Sequence, residues 1–191
     1  MEYTQSMNTT PKVLITCEEF EKLAPTLGSC ELIDGEVVPL APGGFDHGYC
    51  SVNFVLQIAN FVKRKKLGWV LTNETGVKIR ENLPRVRGAD VLFISYQRIP
   101  RNKTPQGFLG VAPELIVEVV GIDRSWKDLE EKVEDYHAIG VDMVWVADPH
   151  TRTVKLFPLG GEPKIVHDGE LLDGGTILPG FSVPIAEFFD A

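Results

Sequence analysis

The chain is short of cysteine and has none of the familiar nucleotide-binding loops, and both shortages narrow what it can be. Cys17, Cys30 and Cys50 are the only cysteines in 191 residues. They are too few and too scattered for a disulfide framework, and no C-x-x-C pair is present to hold zinc. No apolar run approaches the roughly 20 residues that span a bilayer, so no membrane partner is expected. The opening Met1-Glu2-Tyr3-Thr4-Gln5 lacks the basic stretch and apolar core of a secretory signal, which makes a reducing cytoplasm the expected location. Neither G-x-x-x-x-G-K-[ST] nor G-x-G-x-x-G occurs, and there is no G-x-S-x-G, so nothing points to a P-loop, a dinucleotide fold or a serine hydrolase. What remains is ordinary globular composition, 43% apolar and 24% charged. It suits one domain over residues 13–191 behind a polar, patternless arm over residues 1–12.

Charge is unevenly spread. The net value is −8, which at face value argues against a nucleic-acid partner. Residues 60–104 nevertheless hold eleven basic and three acidic residues, so that segment is +8 and the remainder −16. Such asymmetry is the footprint of a polyanion-facing surface; the alternative is a solvated face balanced by acids that folding brings near. Within the segment, Lys65, Lys66, Arg80, Arg85 and Arg87 are the candidate DNA contacts.

The local patterns predict a mixed α/β fold. Thr16-Cys17-Glu18-Glu19 has the capping-box form, with Pro25 to stop the helix it starts. Asp34-Gly35 between two short apolar runs predicts a hairpin over Glu31–Val38. From His47 to Lys66, Tyr49, Val52, Leu56, Ala59 and Val62 recur at helical spacing, and Phe54, Ile58 and Phe61 broaden what reads as the inward face. Lys63-Arg64-Lys65-Lys66 then meets the negative end of the helix dipole, a purely structural use of those charges. Strands are expected at Trp69–Thr72, Gly76–Arg80, Ala89–Ser95, Glu114–Val120, Val141–Ala147, Thr153–Phe157, Lys164–His167 and Gly175–Leu178. A second helix is expected over Ser125–Ile139.

Three charged residues stand where charge is costly. Asp90 opens a strongly apolar strand, and Glu118 sits inside Leu115-Ile116-Val117-Glu118-Val119-Val120. A buried carboxylate needs a partner, a hydrogen bond or a cation. Neighbouring strands could bring these two to one hard ion, and Mg²⁺ (or Mn²⁺) suits so sparse an oxygen site. Lys132 borders the Leu129–Val133–Tyr136 stripe of the second helix, where an inward lysine could pair with those acids or stabilise charge on a phosphate. A snorkelling lysine is the structural alternative. His47 opens the long helix as a second base or phosphate contact, and Glu31 and Glu36, flanking the hairpin turn, are candidates to reach the same site.

With these residues in view, the chain resembles the Uma-two type family of bacterial endonucleases in the restriction-endonuclease-like, PD-(D/E)xK superfamily. The matching pieces are E-L-I-D-G-E-V-V from Glu31, the helix-opening His47, A-D-V-L-F-I-S from Ala89 and A-P-E-L-I-V-E-V-V from Ala112. They continue with K-V-E-D-Y-H-A-I-G-V-D-M-V-W-V-A-D-P from Lys132 and a terminal L-P-G-F-S-V-P-I. The resemblance implies a restriction-endonuclease-like core, a mixed sheet flanked by helices. It also implies a Mg²⁺ site on Asp90 and Glu118, with Lys132 standing for the superfamily lysine that Val120 replaces at its usual place. Ala89 and Gly121 depart from the proline and serine common in the family. Metal-dependent hydrolysis of DNA phosphodiesters is the function implied, with Asp90, Glu118, Lys132, Glu36 and His47 as catalytic candidates and a homodimer as a plausible assembly. The alternative is a non-catalytic nuclease-like domain that binds nucleic acid or a protein partner.

Overall fold

Thr16 Oγ1 accepts from the Glu19 N–H at 3.1 Å, and the Glu19 carboxylate accepts from the Thr16 N–H at 2.8 Å. This reciprocal cap starts α1 (Cys17–Leu23), and Pro25 falls in the 3₁₀ turn that ends it. The computed structural model describes residues 14–121 and 125–190; the arm expected over 1–12 lies outside them. Asp34 and Gly35 both take positive φ, 52° and 81°, as a two-residue turn between right-twisted strands requires. They join β1 (Cys30–Ile33) to β2 (Glu36–Pro39) in antiparallel register.

The long helix, α2 (Phe45–Lys65), ends on Lys66 in the left-handed region. β3 (Gly68–Arg80) and β4 (Arg85–Ser95) form a long antiparallel pair. The two strands expected at 69–72 and 76–80 are thus one, broken by a bulge between Thr72 and Thr75 where Asn73 and Glu74 take positive φ. β5 (Leu115–Val119) runs parallel to β6 (Met143–Asp148), with α3 (Trp126–Ala138) as the crossover. Beyond them come β7 (Thr153–Pro158) and β8 (Lys164–Val166). A separate pair follows, β9 (Leu171–Asp173) and β10 (Ser182–Pro184), before α4 (Ala186–Phe189). The strand expected at Gly175–Leu178 is a turn instead; Gly175 has a φ of 56°, and the pairing residues stand on either side of it.

Helices cover both faces of the sheet. On one, α2 buries Cys50, Phe54, Ile58, Phe61 and Val62 against Val91, Phe93, Val117 and Trp145, and the C-terminal segment closes over them with Phe181 and Phe188. On the other, α3 packs Leu129, Val133 and Tyr136 on Leu92, Ile116, Val144 and Val146. The inward face of α2 is therefore narrower than its apolar pattern suggested. Val52 and Leu56, read as inward, are 54% and 52% exposed.

One edge of β4 positions the candidate site. β3 runs along the other edge, whereas β1 and β5 share this one. β1 meets β4 at Val86, and β5 meets it over Val91–Phe93. Between those contacts Arg87, Gly88, Ala89 and Asp90 face a split in the sheet. Backbone groups there need partners from elsewhere.

Candidate active site

Side chains fill the split. Gly88 donates its N–H to Glu31 Oε1 at 3.0 Å, and its carbonyl accepts from Lys132 Nζ at 2.9 Å and from the Tyr136 hydroxyl at 3.2 Å. Lys132 also reaches Glu118 Oε2 at 2.9 Å and Glu31 Oε1 at 3.0 Å. It is 2% exposed, so it is not a snorkelling lysine. One turn on, Tyr136 donates to the other Glu118 oxygen at 2.7 Å. Both residues come from α3 at i and i+4, on the face its apolar stripe turns to the sheet.

Asp90 and Glu118 each stand one step beyond the last recorded β4–β5 pair, Val91 with Val117. The Asp90 carboxylate takes over as acceptor for the Val119 N–H at 2.8 Å, and His47 Nε2 lies 3.3 Å from the same oxygen. Burial pushes the Asp90 carboxyl up, but the His47 contact, the Lys132 charge and the Val119 N–H together hold it below the ordinary carboxylate range. Glu118 goes the other way. Burial above all, with the nearby Asp90 charge adding, pushes it up to about 7 against the pull of Lys132 and Tyr136. Two neighbouring carboxylates with shifts of opposite sign mark a place where charge is held under tension. Among the described residues no group of three or more His, Cys, Asp or Glu side chains stands at metal-holding spacing.

Of the hairpin's two candidate acids, Glu31 is the one that meets Lys132. Glu36 stands half-buried at the start of β2, across from Ile33. Glu31 is 3% exposed, and although burial pushes its carboxyl up, Lys132 and Arg87 outweigh this and hold it low. Tyr136 was legible only as an apolar-stripe residue. The signal that could have found it is its i+4 spacing from Lys132 and the need of Glu118 for a second donor.

Three of the candidate contacts in the basic segment, Arg80, Arg85 and Arg87, are tied into ion pairs. Arg87 bonds Glu31 at 2.9 Å, Asp135 at 2.7 Å and Glu131 at 3.1 Å. Arg85 bonds Asp34 at 2.8 Å and Glu131 and Asp135 at 2.9 Å. These two arginines are only 7% and 6% exposed, and their donors are committed. Arg80 pairs with Asp34 at 2.7 Å. Lys65 and Lys66 are exposed, but they close α2 at the end remote from His47, about 27 Å along the helix at 1.5 Å per residue. The alternative of acids brought near by folding therefore holds for Arg80, Arg85 and Arg87.

A cleft of about 510 Å³ opens beside the cluster, lined by Glu31, His47, Glu74, Arg87, Asp128 and Glu131 among others. The chain is thus a mixed α/β protein, a sheet with helices on both faces and a buried acid–lysine cluster at a split edge. In agreement, the fold superposes on a crystal structure described as a putative nuclease belonging to DUF820 from Anabaena variabilis ATCC 29413. The TM-score is 0.78, over 92% of this chain and 97% of that one, at 19% identity. The model of the Uma2 family, described as "Putative restriction endonuclease", matches residues 17–186, and the chain belongs to that family. No curated protein matches it. No helix among the described residues is long and apolar enough to cross a membrane.

Proposed function

We propose that this chain hydrolyses phosphodiester bonds in DNA at the Asp90–Glu118–Lys132 cluster, with Mg²⁺ or Mn²⁺ held by the two carboxylates. The observation that carries the reading is the split edge of β4, which gathers two carboxylates and a buried lysine beside an open cleft. The donor set fits such an ion. Asp90 keeps Oδ1 outside its bonds to Val119 and His47, and Glu118 carries one donor on each oxygen, leaving lone pairs on both. Sparse carboxylate ligation of this kind suits Mg²⁺, which fills its remaining positions with water and phosphate oxygen. When bound, the ion would polarise the phosphate and lower the pKa of an attacking water.

The chain's own residues do the rest. Val119 and His47 hold Asp90 in place, His47 itself lining the cleft. Tyr136 fixes the Glu118 carboxylate from one side, so that Lys132 can exchange its bond to the other oxygen for a phosphate oxygen or a water. Glu31 and Gly88 keep the ammonium in place through that exchange. Lys132 then stabilises the negative charge on the non-bridging phosphate oxygens, and His47 contacts the substrate from the start of α2.

The test is cleavage of linear, supercoiled and single-stranded DNA with Mg²⁺, Mn²⁺ or EDTA, joined to calorimetry of Mn²⁺ binding. We expect metal-dependent cleavage, and loss of both cleavage and Mn²⁺ binding in Asp90→Asn and Glu118→Gln. A wild-type protein that cuts no form of DNA with either metal overturns the enzymatic reading. Mn²⁺ binding unchanged in both variants removes the metal from these residues and favours the non-catalytic alternative.

A further inference from the structure

The outward face of α2 carries an apolar stripe that stays open to solvent at Phe45, Val52 and Leu56 among the described residues. Phe45 is 85% exposed, Val52 54% and Leu56 52%. Tyr49 and Ala59 lie between and beyond them on the same face, and Lys63 ends the row. At about 100° per residue these six positions fall within an arc of about 80°, centred opposite the buried Phe54. Phe45 stacks parallel on Tyr49, ring planes 2° apart and centroids 6.1 Å apart, and the Tyr49 hydroxyl donates to the Asp190 carbonyl at 2.6 Å. The aromatic end is thus held in place. An apolar row of this length, exposed at Phe45, Val52 and Leu56 and half-buried at Tyr49 and Ala59, marks an interaction surface.

The order of the row says what fits it. It is its own complement when reversed: Phe45 falls opposite Lys63, Tyr49 opposite Ala59, and Val52 opposite Leu56. Large faces small, and an aromatic ring faces an ammonium. Asp46 in the first turn and Lys63, Arg64 and Lys65 in the last give the helix ends opposite charge, which favours the same antiparallel pairing.

We propose that a second copy of this chain packs antiparallel on α2 about a two-fold axis midway between Val52 and Leu56, and that its basic helix end completes the cleft. This second clause rests on the nuclease reading. Among the described residues Glu31, Glu74, Asp128 and Glu131 line the cleft, while the arginine beside them, Arg87, is bound to Glu31, Asp135 and Glu131. Among the described residues Lys63, Arg64, Lys65 and Lys66 form no ion pair, yet they lie about 27 Å from this copy's His47. In the antiparallel pair, the partner's Lys63–Lys66 stands beside the Gly43–His47 rim and supplies the positive charge that DNA requires there. An isologous contact of this kind is self-limiting at two copies.

Sedimentation of the full chain without DNA, up to about 100 µM because one helix pair makes a small interface, tests the first clause. We expect a concentration-dependent dimer in the wild type and monomers for Val52→Asp and Leu56→Asp, with melting temperatures unchanged. A monomeric wild type, or a dimer that survives both substitutions, overturns the pairing and leaves the face to another occupant. Binding of a fluorescent duplex in EDTA tests the second clause. Leu56→Asp and the double variant Lys65→Glu/Lys66→Glu should each weaken it at least about tenfold. Mixing the double variant with Glu118→Gln should restore cleavage through mixed dimers. Wild-type affinity in Leu56→Asp overturns cleft completion. Because the dimer is read without DNA, absence of nuclease activity leaves it standing, and a monomer that cleaves DNA leaves the nuclease reading standing.

Discussion

Replacing Lys132 with Met removes a buried cation while nearly conserving volume, and the surroundings set the cost. The ammonium is 2% exposed and bonds the Gly88 carbonyl, Glu118 and Glu31. Without it Glu31 keeps Arg87 and the Gly88 N–H, but Glu118 keeps only Tyr136. Breaking a buried pair from one side costs about 3–5 kcal/mol, a large part of the roughly 5–15 kcal/mol that holds a domain together. The loss depends on pH in a definite direction. Glu118 is raised from 4.5 to about 7 by burial first and by Asp90 next, so the folded state binds a proton more tightly than the unfolded chain. Such a group contributes its full stability below about pH 4.5 and loses it as pH rises through the folded value. In the wild type that span is worth about 3 kcal/mol. Lys132→Met drives Glu118 higher still, so the deficit should be full at pH 8 and at least halved at pH 5.5. Urea unfolding followed through the buried Trp145 measures both. Adding Glu118→Gln to Lys132→Met should recover about 2 kcal/mol at pH 8, since the uncompensated charge is gone. A deficit under about 1 kcal/mol at pH 8, or one equal at both pH values, would refute the account of Lys132 as the counter-charge of Glu118.

Two further outcomes follow from the same geometry. Arg87→Met should cost about 3 kcal/mol or more in chemical denaturation, because it strands the buried Glu31 and Asp135; Asp168→Asn, which weakens the surface pair of Asp168 with Arg152 as a control, should cost under about 1 kcal/mol. Gly35→Ala should lower stability by about 1–3 kcal/mol, since residue 35 sits at φ 81° and a Cβ there would lie 2.9 Å from that of Leu14; Gly160→Ala, also at positive φ but in open space, should cost visibly less by thermal melting.

The buried charges also bear on what the site can do. Asp34, Arg85, Asp135, Arg87, Glu31, Lys132 and Glu118 form one chain of alternating sign from the hairpin turn to the centre of the sheet. Alternation of this kind holds each side chain in one orientation, because any rotation leaves a buried charge without its opposite. It keeps Lys132 aimed at the split edge. It also removes Arg85 and Arg87 from any role that needs a free guanidinium.

Much of this was written in local sequence. Caps, the Asp-Gly turn and apolar period depend on residues a few positions apart, and so α1, the hairpin, α2, β4, β5 and α3 stand close to where their patterns placed them. The oddity of Asp90 and Glu118 was legible for the same reason: a carboxylate among apolar strand residues is conspicuous without any partner in view. Tertiary structure decided what those residues meet. That Glu31 reaches Lys132 follows from β1 and β5 sharing one edge of β4, a split that no periodicity encodes. Arg85 and Arg87 looked like free cations because the acids that neutralise them lie 44 to 56 residues away along the chain. The apolar pattern of α2 runs nearly all round the helix, so it could not say which side meets the sheet. Packing against Val91, Phe93 and Trp145 chose the Phe54 face, and left Val52 and Leu56 to solvent.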